Sequence, residues 1–411
     1  MKAVVFTLGC KVNECESNSL IAGLIERGYE VSDRLEKADL YIINTCAVTQ
    51  EAEKKSRQTS ARVKKLNPDA KVIFTGCATQ KDSKAFTDKN PNYLVTGAFD
   101  KGKILEMLDQ SGACVAEQNS YFEELKTPKS LRTRSFVKVQ DGCNNFCSYC
   151  IIPYLRGRSR ARKPENVKSE IIAVNPAEAV ITGINLSAYD YEGKGLAELI
   201  KELWTVDCRI RLGSLEVNVI TDEFLQTLKG LKDFAPHFHL SLQSGSDHVL
   251  KSMNRHYTAK EFIEKALLIR KYFPTAGITT DIIVGFPTET EENFLETLNL
   301  VEKVKFSDIH PFIFSPRSGT KAYKMKDLEH AVKKARLDKL LEIKQSLKKE
   351  FAESNENQTL DFLPEEEIDG FWTGYAENYL RLYVKGDIGD KKLIKVRVLE
   401  PYLDGAKAQI I

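Results

Sequence analysis

Over the first 110 residues, short apolar runs alternate with longer amphipathic ones. Residues 3–8 (AVVFTL), 39–45 (DLYIINT) and 71–76 (KVIFTG) read as buried strands. Between them, residues 16–28 carry apolar positions at helical spacing and stop at Gly28, and residues 50–67 form a charged helix that ends before Pro68. Strand-helix alternation at this spacing predicts a doubly wound parallel sheet. Residues 111–130 are polar, weakly patterned and end in TPKS, which predicts a linker. A second series begins at Arg132, with strands expected at 135–140, 178–183, 209–214, 237–243, 277–286 and 308–314 and helices between them, such as 258–273. That series predicts a partial (β/α) barrel. Residues 327–352 form one long basic helix, and the pattern then changes to short strands at 358–363, 371–375, 379–384 and 393–400. These suit a small antiparallel β barrel of OB-like style. The fold class is therefore α/β with three domains, at 1–115, 130–350 and 353–411.

The 411 residues suffice for several cores, with 42% hydrophobic and 29% charged residues in an ordinary globular balance. Formal net charge is only +2, so any nucleic-acid surface must come from local patches. The opening MKAVVFTLGCKVN has too short an apolar run for a secretion signal, and no stretch approaches the roughly 18–20 apolar residues of a membrane span. The expectation is a cytoplasmic protein with no membrane partner. Nine cysteines, an odd count, argue for metal or redox chemistry rather than a disulfide framework.

Cys10, Cys46 and Cys77 each follow one of the first three strands. In a parallel sheet those positions share the carboxyl edge, where ligands bind. Each alone reads as a core cysteine; three at equivalent strand ends point to a shared metal site. Cys143, Cys147 and Cys150 are spaced C-x3-C-x2-C in DGCNNFCSYC, just after the first strand of the barrel. Structural zinc takes four protein ligands, usually as paired C-x2-C units, and no second pair is present. Three thiolates on a 4Fe-4S cubane leave one iron for a substrate or cofactor.

With Tyr149 before its last cysteine, that loop resembles the radical S-adenosylmethionine signature. The whole chain resembles the methylthiotransferases, which combine an N-terminal three-cysteine domain, a radical domain and a C-terminal TRAM domain. The resemblance is carried by residues 7–13 (TLGCKVN), 44–48, 75–77, 142–162, 182–189, 240–247, 253–258, 281–290 and 315–323. It implies two 4Fe-4S clusters, on Cys143, Cys147 and Cys150 and on Cys10, Cys46 and Cys77. One S-adenosylmethionine would methylate a sulfur at the second cluster, and another would supply the radical that activates the substrate carbon. TLGCKVN, RGRSR after the radical loop and GYAENYLRLYV resemble the branch acting on carbon 2 of threonylcarbamoyladenosine next to the tRNA anticodon. The alternatives are the branches acting on isopentenyladenosine in tRNA or on a ribosomal-protein aspartate, or, in another class, a non-catalytic iron–sulfur or zinc RNA-binding protein. Thr288, Gly213, Val217, Ser187 and Asp190 depart from the family pattern, and none is a cysteine. Partners implied are tRNA, S-adenosylmethionine, an electron donor and a sulfur donor, with the chain itself a monomer.

Barrel strand ends supply the expected cofactor contacts: Gly183 and Asn185, Ser214 and Glu216, and Gln243, together with Tyr149. Ser214 and Gln243 read equally as turn-capping residues. His237 and His239 share a strand face and read as a packed pair. Cys15, Cys114 and Cys208 read as bystanders. RGRSRARK places Arg156, Arg158, Arg160 and Arg162 where they could grip a phosphate backbone. In the acidic C-terminal module, Arg381 beside Tyr375, Tyr379 and Tyr383 is the expected RNA contact, although those rings could equally pack a small barrel.

Overall fold

The computed structural model describes residues 1–128, 133–389 and 392–411. The end of the expected linker, Lys129 and Ser130, and the expected start of the second series, Arg132, lie outside the described residues. The N-terminal unit contains β1 (Lys2–Thr7), α1 (Lys11–Glu26), β2 (Glu30–Ser32), β3 (Leu40–Thr45), α2 (Gln50–Leu66), β4 (Lys71–Gly76), the short α3 (Cys77–Lys81) and α4 (Lys84–Thr87), β5 (Leu94–Thr96) and β6 (Gly112–Cys114). Its sheet is parallel throughout, in the order β2-β1-β3-β4-β5-β6. Every residue of β3 is buried, as a central strand covered on both faces requires. α1 starts at Lys11, earlier than periodicity predicts, because the face it hides there is polar: Asn13, Glu16, Ser17, Asn18 and Ser19 are all buried. β6 falls inside the stretch expected to be linker; three residues that include a glycine carry no strand signal of their own.

The central unit runs β7 (Arg134–Asp141), α5 (Ile152–Arg156), β8 (Arg160–Ala161), α6 (Pro164–Val174), β9 (Glu178–Gly183), the hairpin β10 (Asp190–Tyr191) and β11 (Lys194–Gly195), α7 (Leu196–Glu202), β12 (Arg209–Leu212), β13 (Ser214–Leu215), α8 (Asp222–Leu228), β14 (His237–Gln243), α9 (Asp247–Ser252), α10 (Ala259–Tyr272), β15 (Gly277–Val284), α11 (Glu291–Val304), β16 (Asp308–Ile313) and α12 (His330–Ser354). The expected third strand breaks at Gly213 into β12 and β13. The barrel wall is consequently two four-stranded sheets, β12-β9-β7-β8 and β13-β14-β15-β16, parallel except for β8. One large core lies between these strands and their helices, with Val137, Ile181, Leu212, Leu240 and Ile282 among its fully buried members.

β8 and β16 leave the wall open, and the N-terminal unit bridges that opening. Glu16 of α1 pairs with Lys138 of β7 at 3.0 Å. On the other side, Gln50 Nε2 donates to Pro316 O at 3.0 Å, and Arg317 pairs with Glu53 of α2. The C-terminal unit is a closed barrel, β17 (Thr359–Ile368), β18 (Phe371–Ala376), β19 (Arg381–Lys385), β21 (Gly405–Ile410) and β20 (Ile394–Tyr402) in spatial order. Its last strand, GAKAQI, lacks β-branched residues until its end and escapes the sequence pattern.

This unit seals the N-terminal ends of the central strands. Arg211 donates to Glu377 O at 3.1 Å and Ala376 O at 3.2 Å, and Tyr379 stacks on His237 with ring centroids 4.2 Å apart. The active face of a β/α barrel is the opposite, C-terminal end, so the small barrel acts as its floor. Among the described residues no helix is long and apolar enough to cross a membrane.

Candidate active site

Cys10 caps the start of α1, Cys46 follows β3, and Cys77 opens α3 directly after β4. Gly9 brings the first two together. Its φ is +114°, and a Cβ there would sit 3.0 Å from Cys46 Cβ, so a side chain at this position would push them apart. Asn13 ties the strand ends, donating to Leu8 O at 2.9 Å and Thr45 O at 3.0 Å. Asn44 in turn donates to Asn13 O at 2.9 Å.

Cys143, Cys147 and Cys150 lie in the loop after β7. Gly142 has φ +70°, and a Cβ there would fall 2.0 Å from Arg158 O, so the loop's entry tolerates only glycine. The 253–255 segment wraps the loop: Ser148 N donates to Met253 O at 2.9 Å and Asn254 Nδ2 to Asn145 O at 2.8 Å.

Both trios open into one cavity of about 700 Å³, within the range of small-molecule sites. All six residues expected at the cofactor line it: Tyr149, Gly183, Asn185, Ser214, Glu216 and Gln243. His237, His239, Asp281 and, at the floor, Tyr379 line it as well. The two histidines share Thr279 Oγ1 at 2.9 and 3.0 Å, and His239 pairs with Asp281 at 3.2 Å, so they are a packed pair facing a cavity. Burial, with Arg211 adding to it, holds His237 well below the usual imidazole value. Cys15 lines a separate void of about 20 Å³, and Cys114 and Cys208 do not line the large cavity.

The donor set suits iron–sulfur clusters. Both trios are thiol only, the soft donor class such clusters take. Each is met by N–H groups aimed at sulfur: Asn145 N and Asn185 Nδ2 at Cys143 Sγ (3.5 and 3.8 Å), Arg255 Nη1 at Cys147 Sγ (3.3 Å), Val48 N at Cys46 Sγ (3.5 Å) and Arg156 Nε at Cys77 Sγ (3.3 Å). Among the described residues no three His, Cys, Asp or Glu side chains converge as a single-ion site would require, and a cubane spreads its ligands over separate corners. Burial pushes the free thiols of Cys46 and Cys150 up to about 12, so iron binding there must expel their protons.

Two arginines organise the sulfurs: Arg255, missed at the sequence level, and Arg156, assigned there to RNA. Arg255 also pairs with Glu216 at 2.8 Å, and Glu216 accepts from Asn145 Nδ2 at 2.7 Å, so this glutamate already braces the radical loop. Arg156 is 1% exposed. It donates to Glu16 Oε1 at 2.8 Å, to both Asp141 oxygens at 3.2 Å and to Asn13 Oδ1 at 2.7 Å. The RNA role expected of Arg156, Arg160 and Arg162 is thereby corrected. Arg160 is buried and donates to Arg156 O at 2.8 Å, and Arg162 is buried and pairs with Glu170 at 2.5 Å and Glu124 at 2.8 Å. Arg158 alone of the four arginines is exposed, with its guanidinium 4.5 Å from the Phe146 ring centre. In the C-terminal unit Arg381 pairs with Asp404 at 3.3 Å, while Tyr375 stacks on Tyr379 and Tyr383 is buried against Phe371 and Tyr402. Those aromatics are packing, not a free stacking platform.

Residues 137–301 match the model of the Radical SAM superfamily, and residues 2–97 match that of an uncharacterized protein family, UPF0004. The chain is 38% identical to threonylcarbamoyladenosine tRNA methylthiotransferase MtaB of Bacillus subtilis (strain 168), over 100% of this chain and 97% of that protein. It is 35% identical to the tRNA-2-methylthio-N(6)-dimethylallyladenosine synthase of Natranaerobius thermophilus, over 89% of this chain and 86% of that protein. Among solved structures, the radical S-adenosylmethionine methyltransferase TsrM of Kitasatospora setae aligns with a TM-score of 0.53 at 13% identity, over 76% of this chain and 74% of that one, a likeness of fold. Two cysteine trios on one cavity, a radical domain and this end-to-end similarity agree: the chain belongs to the radical S-adenosylmethionine methylthiotransferase family.

Proposed function

We propose that this protein inserts a methylthio group at carbon 2 of threonylcarbamoyladenosine beside the tRNA anticodon. The observation that carries the reading is the single cavity onto which both cysteine trios open. Its length-wide similarity to relatives named for that substrate supports the branch. Cys143, Cys147 and Cys150 would hold one 4Fe-4S cluster and Cys10, Cys46 and Cys77 the other. When bound, these groups supply radical generation from S-adenosylmethionine and the sulfur that replaces hydrogen on the base.

The chain's own residues do the rest. Arg255 and Asn185 fix the sulfurs of the radical loop, and Arg156 fixes that of Cys77. Gly183 keeps the second strand end flat: a Cβ there would lie 2.8 Å from Gln140 Cβ. Tyr149, Asn185, Ser214, Glu216 and Gln243 present the polar and aromatic contacts for S-adenosylmethionine. The N-terminal unit across the open wall and Tyr379 on the floor keep bulk water out, which radical chemistry requires. Arg158 and Phe146, on the radical loop's outer side, offer the RNA a cation and a ring. An external electron donor, a sulfur donor and a monomeric chain complete the reading.

The test is mass spectrometry of nucleosides from tRNA of a host lacking methylthio marks, with and without this protein. 2-Methylthio-threonylcarbamoyladenosine is the expected product. Methylthio on isopentenyladenosine instead would keep the chemistry and overturn the substrate. No methylthio nucleoside from iron-loaded protein would overturn both.

A further inference from the structure

Lys11 sits one residue after Cys10, at the first position of α1, and lines the large cavity. Its side chain is exposed. The charged groups that act on it most are Arg134, Arg211, Asp281 and Glu178, all on strands of the central barrel. A side chain from the N-terminal unit thus reaches into the barrel interior. The two carboxylates there are already engaged. Asp281 is paired with His239 at 3.2 Å, and Glu178 with Arg209 at 2.7 Å and Arg211 at 2.8 Å. Among the described residues the Lys11 side chain has no hydrogen bond and no ion pair. An ammonium that faces the cavity without an ion-pair partner is a ready site for an arriving anion.

The part of the cavity that Lys11 faces is polar: its charge acts on His237 and Asp281, and His239 is paired with Asp281. An apolar prenyl group offers the Lys11 ammonium no counter-charge, whereas a carboxylate complements it. Threonylcarbamoyladenosine differs from isopentenyladenosine in ending with a carboxylate, that of its threonine. We propose that Lys11 binds this carboxylate and is a specificity-determining residue for the substrate. The inference rests on the substrate reading above.

The experiment uses four anticodon stem-loop RNAs, carrying threonylcarbamoyladenosine, its neutral methyl amide, isopentenyladenosine or adenosine. Their dissociation constants are measured for full-length, cluster-reconstituted wild type, Lys11→Met and Lys11→Arg, without reductant so that no turnover occurs. Wild type is expected to prefer the carboxylate RNA over its amide by roughly tenfold or more. Lys11→Met is expected to lose that preference while keeping wild-type iron and sulfide content, and Lys11→Arg to retain most of it. A Lys11→Met protein that still prefers the carboxylate overturns the proposal. So does one that loses iron from the N-terminal trio, since Lys11 would then serve the cluster. Wild-type binding that favours the isopentenyladenosine RNA over the threonylcarbamoyladenosine RNA would instead bring down the parent reading, and is told apart because no variant is needed to see it.

Discussion

Glu16→Gln tests how the N-terminal unit is held to the barrel. Glu16 is fully buried and takes contacts from Arg156 at 2.8 Å, Lys101 at 3.0 Å and Lys138 at 3.0 Å. The neighbouring Asp141 shares Lys138 at 2.6 Å and Arg156 at 3.2 Å, and Arg160 approaches it at 3.5 Å. Two carboxylates thus balance four cations, and the variant leaves one. Removing one partner of a buried pair costs about 3–5 kcal/mol, because the remaining charge is stranded. Glutamine keeps one acceptor oxygen, which places the expected loss near 3 kcal/mol.

The pH dependence has a definite sign. Burial alone would raise the Glu16 carboxyl; Arg156, Lys101 and Lys138 overcome it and hold it well below the usual carboxylate range. A depressed carboxylate contributes stability that is fully present above its unfolded value, about 4.5, and is lost as pH falls through the folded one. Urea unfolding of the cluster-free chains, followed by circular dichroism, should therefore show the full gap between wild type and variant at pH 7 and a narrowing gap below about pH 4.5. A gap under 1 kcal/mol at pH 7, or one that is unchanged in acid, would refute the reasoning.

Replacing Cys143, Cys147 and Cys150 by alanine should abolish cleavage of S-adenosylmethionine and lower iron from about eight to about four per chain. Replacing Cys10, Cys46 and Cys77 should cost the same iron but spare cleavage, and block methylthio insertion in the nucleoside assay. Arg255→Met should cut cleavage by about 10- to 100-fold, as removal of a group bonded to a metal ligand does, and shift the reduction potential read by electron paramagnetic resonance titration; Arg255→Lys should restore part of both. Gly277→Ala places a Cβ 2.0 Å from Asn378 O, so it should loosen the floor, costing about 1–3 kcal/mol and exposing the C-terminal unit to limited proteolysis.

The strand-helix order, both trios and the C-terminal barrel were legible because each has a local signal: apolar runs, turn residues, or a cysteine spacing. The misreadings of charged residues share one cause, that a sequence displays charge but not where it points. RGRSRARK looks like a phosphate grip, yet Arg156, Arg160 and Arg162 turn inward to Glu16, Asp141 and Glu170. Their partners lie 140, 19 and 8 residues away, and the first of these pairs spans two domains. Glu16 itself looked like an ordinary residue at a helix start, since its burial against cations is a tertiary fact. β6 and β21 were lost for the opposite reason: Gly112–Cys114 and GAKAQI are strands by position in a sheet, not by propensity. Arg255 stood within a recognisable segment, but nothing in MNRHYT says that its guanidinium returns to Cys147.

The two domain interfaces use the same device. Toward the N-terminal unit, Glu16 gathers Arg156, Lys101 and Lys138. Toward the C-terminal unit, Glu178, fully buried, gathers Arg209, Arg211 and Arg134 of its own unit, and these reach across to Asp361 O at 3.0 Å, Glu377 O at 3.1 Å and Glu365 at 2.9 Å. Burial would raise Glu178, and Arg211, Arg209 and Arg134 bring it down to about 2. Apolar contacts would hold these units together with less expense of desolvation, but they are non-directional and tolerate sliding. A carboxylate shared among cations from separate elements is satisfied in one register only. The chemistry requires such a register: one trio arrives on the N-terminal sheet, the other on the barrel, and a misplacement of about 1 Å between reacting groups can cost a hundredfold in rate. Arg156 joins the two demands in one side chain, since the guanidinium that locks Glu16 and Asp141 also donates to Cys77 Sγ. Interface geometry and sulfur position are therefore set by the same bonds, and Glu16→Gln should disturb both together.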